Sequence, residues 1–180
     1  LGFRMVQGVP EIYIIEKLDN SAGYCNYLNG DPSMFIIQKA IIQPLLMGGK
    51  FYNQLLDANH NCDSSCYDCL RDYYNQSHHS GINWRLGLDM ARLAFDKNAT
   101  FDFSQEYWRH HISDIADRIS KKLDGVKIKI GTTFAIQSAD KSILITHPFW
   151  SQDFTNSYLS QINSDAEPME IQEVVRRSHF

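Results

Sequence analysis

No run of about 18 apolar residues occurs in this chain, so the sequence holds no candidate membrane-spanning helix. The longest apolar-rich stretch, Met34 to Met47, is broken by Gln38, Lys39, Gln43 and Pro44. No basic stretch precedes an apolar run with a small-residue cleavage site, so no secretory signal is visible within these residues. Positive charge is not in excess. The 17 Lys and Arg stand against 21 Asp and Glu, a net charge of −4. That argues against a free-standing, strongly basic nucleic-acid binder, though not against a local basic face. Internal repeats and low-complexity segments are absent. Cysteine is scarce too: there are four, and Cys62, Cys66 and Cys69 fall close together. With no sign of secretion, that clustering favours a reduced, cytoplasmic setting and a metal site over disulfides.

Several enzyme signatures are also missing. A phosphate loop needs GxxxxGK[ST], but Pro44 stands where the first glycine belongs before Gly49-Lys50, and Phe51 follows the lysine. None of the seven histidines has a lysine two residues on, as a phospholipase-type nuclease would require. Neither Glu-x-Lys nor Gln-x-Lys occurs, and no His-x-Glu precedes Cys66-x2-Cys69 as in zinc deaminases. We therefore expect no catalytic residue in this chain.

What is present suits one folded domain: 180 residues, 43% of them hydrophobic. Such a chain can bury a core without help from a metal, so any metal would fix local geometry. The chain opens at Leu1 in mid-pattern, which reads as the C-terminal piece of something longer. Glu11 to Leu18 reads as a strand, with a short helix after Asp19-Asn20-Ser21 carrying Tyr24, Cys25 and Leu28. Ser33 caps a helix from Met34 that Pro44 ends or kinks and Gly48-Gly49 closes. Phe51 to Leu56 is a further helical piece, and residues 59–81 read as compact irregular structure held by a metal. Ile82 to Asp96 is the clearest helix. Its Arg85, Asp89, Arg92 and Asp96 form one polar stripe of alternating charge, read as the wet face of a mostly buried helix. Ser104 to Leu123 is a second long helix, with Trp108, Ile112, Ile115, Ile119 and Leu123 on an apolar stripe and Gly125 as its stop. Val126 to Ile136 and Ser142 to Thr146 read as strands joined through Ser138–Lys141. A short helix follows near Asp153 to Ile162, and then a polar tail reaching Val174-Val175.

The chemistry concentrates in Cys62-x3-Cys66-x2-Cys69. At this spacing three thiolates can converge on one ion, and structural zinc takes four ligands in a tetrahedron. The fourth is Cys25 by preference, with His60 as its competitor. Buried thiols of purely structural character are disfavoured by the polar neighbours Asp63, Ser64, Ser65 and Asp68, and an iron–sulfur cluster is the alternative metal group. His110-His111 reads as a solvated helix face, because neighbouring helical residues point about 100° apart, and His147 reads as structural. Arg109, Arg118, Lys121, Lys122, Lys127 and Lys129 could form a phosphate-facing patch, but interleaved Asp114, Asp117 and Asp124 favour an ordinary solvated surface.

Residues 62–93, CDSSCYDCLRDYYNQSHHSGINWRLGLDMARL, resemble the MrfA-type zinc-binding domain at the C-termini of bacterial superfamily 2 helicases. Related domains occur in helicase-like proteins of the DISARM and Druantia anti-phage systems. The matching features are the SCYDCLR core, Tyr74-Asn75, His79 and Trp84-Arg85. NSAGYC (residues 20–25), ITHPFW (145–150) and VRR (175–177) resemble further motifs. The main match covers roughly residues 11–96. It departs at His60, where some members carry a cysteine.

The resemblance implies a structural zinc ion and a parent that is an ATP-dependent DNA helicase, ATP being used only in that parent. It makes His79, Tyr74, Asn75 and Arg85 outer partners or packing residues of the metal, and Arg71 and Arg85 candidates for DNA contact or domain docking. The expected partners are motor domains of the same chain, DNA reached through the parent, and a defence-complex subunit, with no membrane. Alternative roles are a protein-interaction platform, to which exposed Phe149 and Trp150 would contribute, and, less favoured, a metal-dependent nuclease. The expected architecture is α+β: a single domain whose helical zinc-binding core, residues 10–100, packs with a helix, β-hairpin and tail, residues 101–180. Its small, partly antiparallel sheet would contain Glu11–Leu18, Lys127–Ile136 and Ser142–Thr146.

Overall fold

The computed structural model describes residues 2–6, 9–13, 23, 25–26, 36–96, 98–162 and 166–178. Two antiparallel strands, β1 (Gly2–Val6) and β2 (Val9–Tyr13), open the chain as a hairpin. A π-helical turn over Gln38–Ile42 runs into α1 (Gln43–Leu46), with Pro44 in its first turn, and α2 (Lys50–Leu56) follows. After the cysteine segment come a 3-10 helix (Tyr73–His78), α3 (Trp84–Phe95) and α4 (Glu106–Lys122). Strands β3 (Val126–Ile130), β4 (Thr133–Gln137) and β5 (Ser142–Thr146), helix α5 (Gln152–Leu159), strand β6 (Glu167–Glu170) and helix α6 (Ile171–Ser178) complete it. The four-stranded sheet has the order β3-β4-β5-β6, antiparallel except for the parallel β5–β6 pair. This is the expected α+β architecture. No helix among the described residues is long and apolar enough to cross a membrane.

Helix α4 organises the core. Trp108, Ile112, Ile115 and Ile119 recur at helical spacing and are all buried, as the periodicity predicts. The helix packs on β3 and β4 and against α6. It ends where Asp124 takes a left-handed φ of 48°. Gly125 then lies so close to β4 that a Cβ would fall 2.8 Å from the Gln137 carbonyl oxygen. A side chain at that position would push the helix off the sheet.

Four expectations change. Glu11–Leu18 is not a strand of the main sheet: β2 ends at Tyr13 and pairs only with β1, and residues 14–18 lie outside the described residues, as do Tyr24, Leu28 and Ser33. Val126–Ile136 is not one strand but a hairpin turning at Gly131-Thr132. There Gly131 adopts φ 55°, the left-handed conformation that tight two-residue turns demand. The polar tail contributes an edge strand, tolerant of Pro168, and an amphipathic helix whose Ile171, Val174 and Val175 enter the core. Finally, the first half of the charged stripe of α3 faces inward, with Arg92 half-buried and Asp96 exposed. Arg85 and Asp89 are buried, while Met90, Leu93 and Phe95 are exposed.

The inward stripe has a physical reason. The Asp89 carboxylate, 0% exposed, accepts hydrogen bonds from Tyr107 Oη (2.6 Å), Trp108 Nε1 (2.7 Å) and His147 Nε2 (3.0 Å). Arg92 adds a cation 3.6 Å away. The backbone N–H of Phe149 donates to His147 Nδ1 at 3.1 Å, so the imidazole hydrogen must sit on Nε2, facing Asp89. Burial, then the Asp89 charge, pushes the Tyr107 phenol upward, keeping it an O–H donor. A buried carboxylate with every neighbour donating to it is a fastening between α3, α4 and the end of β5.

Candidate metal centre

Four donor atoms converge between α2 and the 3-10 helix: His60 Nε2 and the Sγ atoms of Cys62, Cys66 and Cys69, all within 4.8 Å of one another. No disulfide joins the cysteines. The sulfur–sulfur separations are 3.9 Å for Cys62–Cys69 and 3.6 Å for Cys66–Cys69. His60 Nε2 lies 3.3 Å from Cys62 Sγ and 3.5 Å from Cys66 Sγ. A tetrahedral ion with metal–sulfur bonds of about 2.3 Å and metal–nitrogen bonds of about 2.0 Å sets these edges at about 3.8 and 3.5 Å. The cluster therefore has the dimensions to hold one metal ion such as zinc. A multi-iron cluster would spread its ligands by its own width.

The local chain aims each donor. His60 Nδ1 lies 2.9 Å from the Leu55 carbonyl at the end of α2. A carbonyl only accepts, so Nδ1 carries the hydrogen and Nε2 turns its lone pair to the sulfurs. Residues 66–69 wrap into a tight turn. The Cys66 N–H donates to Cys69 Sγ at 3.1 Å, and the N–H groups of Cys69, Leu70 and Arg71 all point at the Cys66 carbonyl. Burial pushes the Cys62 thiol up to about 12, and the neighbouring thiols of Cys69 and Cys66 add to that. Burial also raises Cys69. Burial pushes Cys66 up as well, but hydrogen bonds to His60, Cys69 and the Asp68 backbone outweigh it and leave that thiol lowered. Three sulfurs this close resist shared ionisation by themselves; a bound dication would reverse the balance.

The loop is bolted to the core by two arginines. Arg85 Nη1 donates to the carbonyls of Cys62 (3.2 Å) and Asp63 (3.0 Å), and its Nε donates to the Tyr107 carbonyl at 2.7 Å. Its guanidinium also lies 4.1 Å over the Trp84 ring. Burial pulls Arg85 down to about 10, which leaves it charged at neutral pH. Arg118 on α4 grips the Asp63 carboxylate with two bonds of 2.7 and 2.8 Å. Gln54 Nε2 holds the Asp68 carbonyl at 2.7 Å, and Trp84 N–H donates to Ser64 O at 3.0 Å.

Set against the sequence expectations, Cys62, Cys66 and Cys69 come together, and the fourth position belongs to His60. Cys25, the preferred fourth ligand, is not part of this group. The short turn from Asp57, whose carbonyl accepts from His60 N–H, delivers the imidazole where a distant ligand would otherwise be needed. Arg85 is 7% exposed, so it packs beneath the loop and offers no DNA-facing surface. Arg71 donates through Nε to Ser65 Oγ at 2.9 Å and lines a surface cleft. His79 Nε2 donates to Asn75 Oδ1 at 2.7 Å, and Asn75 Nδ2 donates to the Leu70 carbonyl at 2.8 Å, so this pair braces the chain after Cys69. Tyr74 is 94% exposed, with its ring edge-on to Tyr73. Trp150 is partly buried, its indole N–H donating to the Phe101 carbonyl at 2.7 Å, while Phe149 is exposed. Asp63 and Arg118 went unnoticed as a fastening because 55 residues separate them.

Of the histidine pair, His110 is solvated but His111 is buried. Burial first, then the charges of Arg85 and Arg118, pushes His111 down to about 3, against the opposing pull of Asp63. Between about pH 6.5 and 3 the unfolded chain therefore binds a proton that the folded chain refuses, and stability falls as pH falls. Urea unfolding of wild type and His111→Gln across that window should show it. The wild type should lose roughly 1 kcal/mol more per pH unit than the variant, with no difference in slope above pH 7. Parallel slopes at all pH values would mean that this imidazole titrates normally.

Compared with known proteins, the chain matches no family model, no curated protein and no solved structure.

Proposed function

We propose that this chain is a non-catalytic module with one structural zinc ion, held by His60, Cys62, Cys66 and Cys69, that belongs to the C-terminal part of a DNA helicase or translocase. There it supports DNA engagement or docking on the motor domains, in genome maintenance or anti-phage defence. The observation that carries this reading is the closed set of four donors at the edge lengths of a single tetrahedral ion. Four protein ligands leave no open coordination position for a substrate, which favours a scaffold over a catalytic metal. The resemblance of residues 62–93 to the MrfA-type domain supplies the helicase context. The test is to place Cys66→Ser in the full-length parent. Loss of DNA-stimulated ATPase and unwinding is expected. Full activity from a folded variant that has lost its metal would sink the helicase role.

A second reading, docking of a partner subunit, draws on three exposed tyrosines around the metal loop: Tyr67, Tyr73 and Tyr74, at 67%, 76% and 94% exposure. Immobilised chain retaining DNA at moderate salt favours the first reading; retention of a protein subunit alone favours the second.

A further inference from the structure

We propose that the cleft between the start of α4 and the β3–β4 turn is a phosphate-binding site that takes the backbone of a nucleic-acid strand. The cleft encloses about 410 Å³, and none of its lining residues is acidic. The cleft beside the metal loop differs, having Glu170 and Glu173 in its wall. Three of the basic residues around α4 are already engaged. Arg118 is held by Asp63, Lys127 by Asp117 at 2.5 Å, and Lys122 donates to the Arg177 carbonyl. Arg109, His110 and Lys129 gather along this one cleft, while Lys121 lies outside it.

Arg109 donates through Nη2 to the Ser104 carbonyl at 3.0 Å. That bond positions the guanidinium and leaves its other N–H groups for a ligand. The Ser113 hydroxyl accepts from Lys127 Nζ at 3.3 Å, so its own hydrogen can be donated elsewhere. Thr132 Oγ1, in the hairpin turn, is buried without a hydrogen-bond partner among the described residues. A buried hydroxyl lacking a partner is costly, and because Thr132 lines the cleft, rotation of its side chain toward an acceptor oxygen there would satisfy it. Residues bearing guanidinium, ammonium and hydroxyl groups line this cleft without a carboxylate, the donor chemistry that suits the oxygens of a phosphate. The cleft is much larger than a single phosphate group, which leaves room for the sugars of a continuing strand. The choice of a nucleic-acid occupant rests on the DNA-engagement reading above; the anion chemistry does not.

The test uses the zinc-loaded 180-residue chain and a fluorescent single-stranded oligonucleotide, with anisotropy titrations from 50 to 200 mM salt. Wild type should bind. The Arg109→Ala/Lys129→Ala double variant should bind about tenfold more weakly, with a salt dependence shallower by about 1.4 in log–log slope. Thr132→Val, which removes only the hydroxyl, should weaken binding about threefold. Lys141→Ala, in the exposed Ser138–Lys141 turn, should change nothing. Inorganic phosphate, titrated against chloride at equal ionic strength, should shift the amide NMR signals of Lys129 and residue 132, with an apparent Kd about threefold higher in Thr132→Val than in wild type. Undiminished oligonucleotide binding by the double variant and Thr132→Val would overturn the cleft assignment and leave the DNA-engagement reading standing. No oligonucleotide binding by wild type would remove the nucleic-acid occupant, even if phosphate still shifted the cleft signals. If the double variant misfolds, the Thr132→Val and phosphate titrations decide alone.

Discussion

Chain carrying Cys66→Ser should purify with close to no zinc, where wild type should carry one equivalent. Cys66 sits at the centre of the group: its sulfur meets both Cys69 Sγ and His60 Nε2, and its carbonyl gathers three N–H groups of the following turn. Serine keeps the shape but not the soft thiolate that zinc prefers. The same geometry makes two companion results diagnostic. His60→Ala should lower the zinc content sharply, and Cys25→Ser should leave it at one equivalent, because Cys25 is not in the donor group. Much of the core lies on α4 and the sheet, where Trp108, Ile112, Ile115, Ile136 and Ile145 are buried. The variant should therefore keep its helical circular dichroism while amide hydrogens across residues 60–71 exchange freely, with a stability loss of about 3 kcal/mol. Zinc retained by Cys66→Ser, or lost from Cys25→Ser, would refute the assigned ligand set.

Asp89→Ala should be the most damaging substitution away from the metal. It removes the one acceptor shared by Tyr107, Trp108 and His147, and it leaves Arg92 beside a void. Deleting one member of a buried charged network costs about 3–5 kcal/mol, because the surviving donors have neither partner nor water. Asp89→Asn should cost less, since an amide oxygen still accepts and the NH2 can turn to the Tyr107 hydroxyl, the one neighbour able to accept, while the charge facing Arg92 is lost. Denaturant unfolding followed by tryptophan fluorescence would measure both. A loss under about 1 kcal/mol for Asp89→Ala would mean that water fills the site and that the network is not a fastening.

What could be read from the sequence followed the strength of local periodicity. Helices α2, α3 and α4 announce themselves through apolar spacing, and β5 through its β-branched run. Cys62, Cys66 and Cys69 lie close enough for their spacing to define three corners of a site. The fourth corner was harder because it depends on the turn through Asp57 to His60, and a histidine two residues upstream carries no pattern of its own. The stripe Arg85–Asp89–Arg92–Asp96 misled for a different reason. Alternating charges at helical spacing look like surface pairs. The partners of Arg85 and Asp89, the carbonyls of Cys62, Asp63 and Tyr107 and the side chains of Tyr107, Trp108 and His147, come from 18 to 58 residues away, and only Arg92 makes the expected local pair, with Asp89. The edge strand β6 was hidden by Glu167, Pro168 and Glu170, because only Ala166 and Met169 of that stretch are buried.

All four metal donors lie within ten residues of chain, from His60 to Cys69. The loop that the ion closes is therefore short, and little of the chain's entropy is removed by closing it. An unfolded chain holds the same four side chains at the same spacing and competes for zinc, so the fold gains only the difference between the two affinities. During synthesis the site is complete before any residue of α3 or α4 has been added. The ion can thus shape its loop first and present the Cys62, Asp63 and Ser64 backbone as a template. Trp84 and Arg85, and then Arg118, would meet it in the order in which they are made.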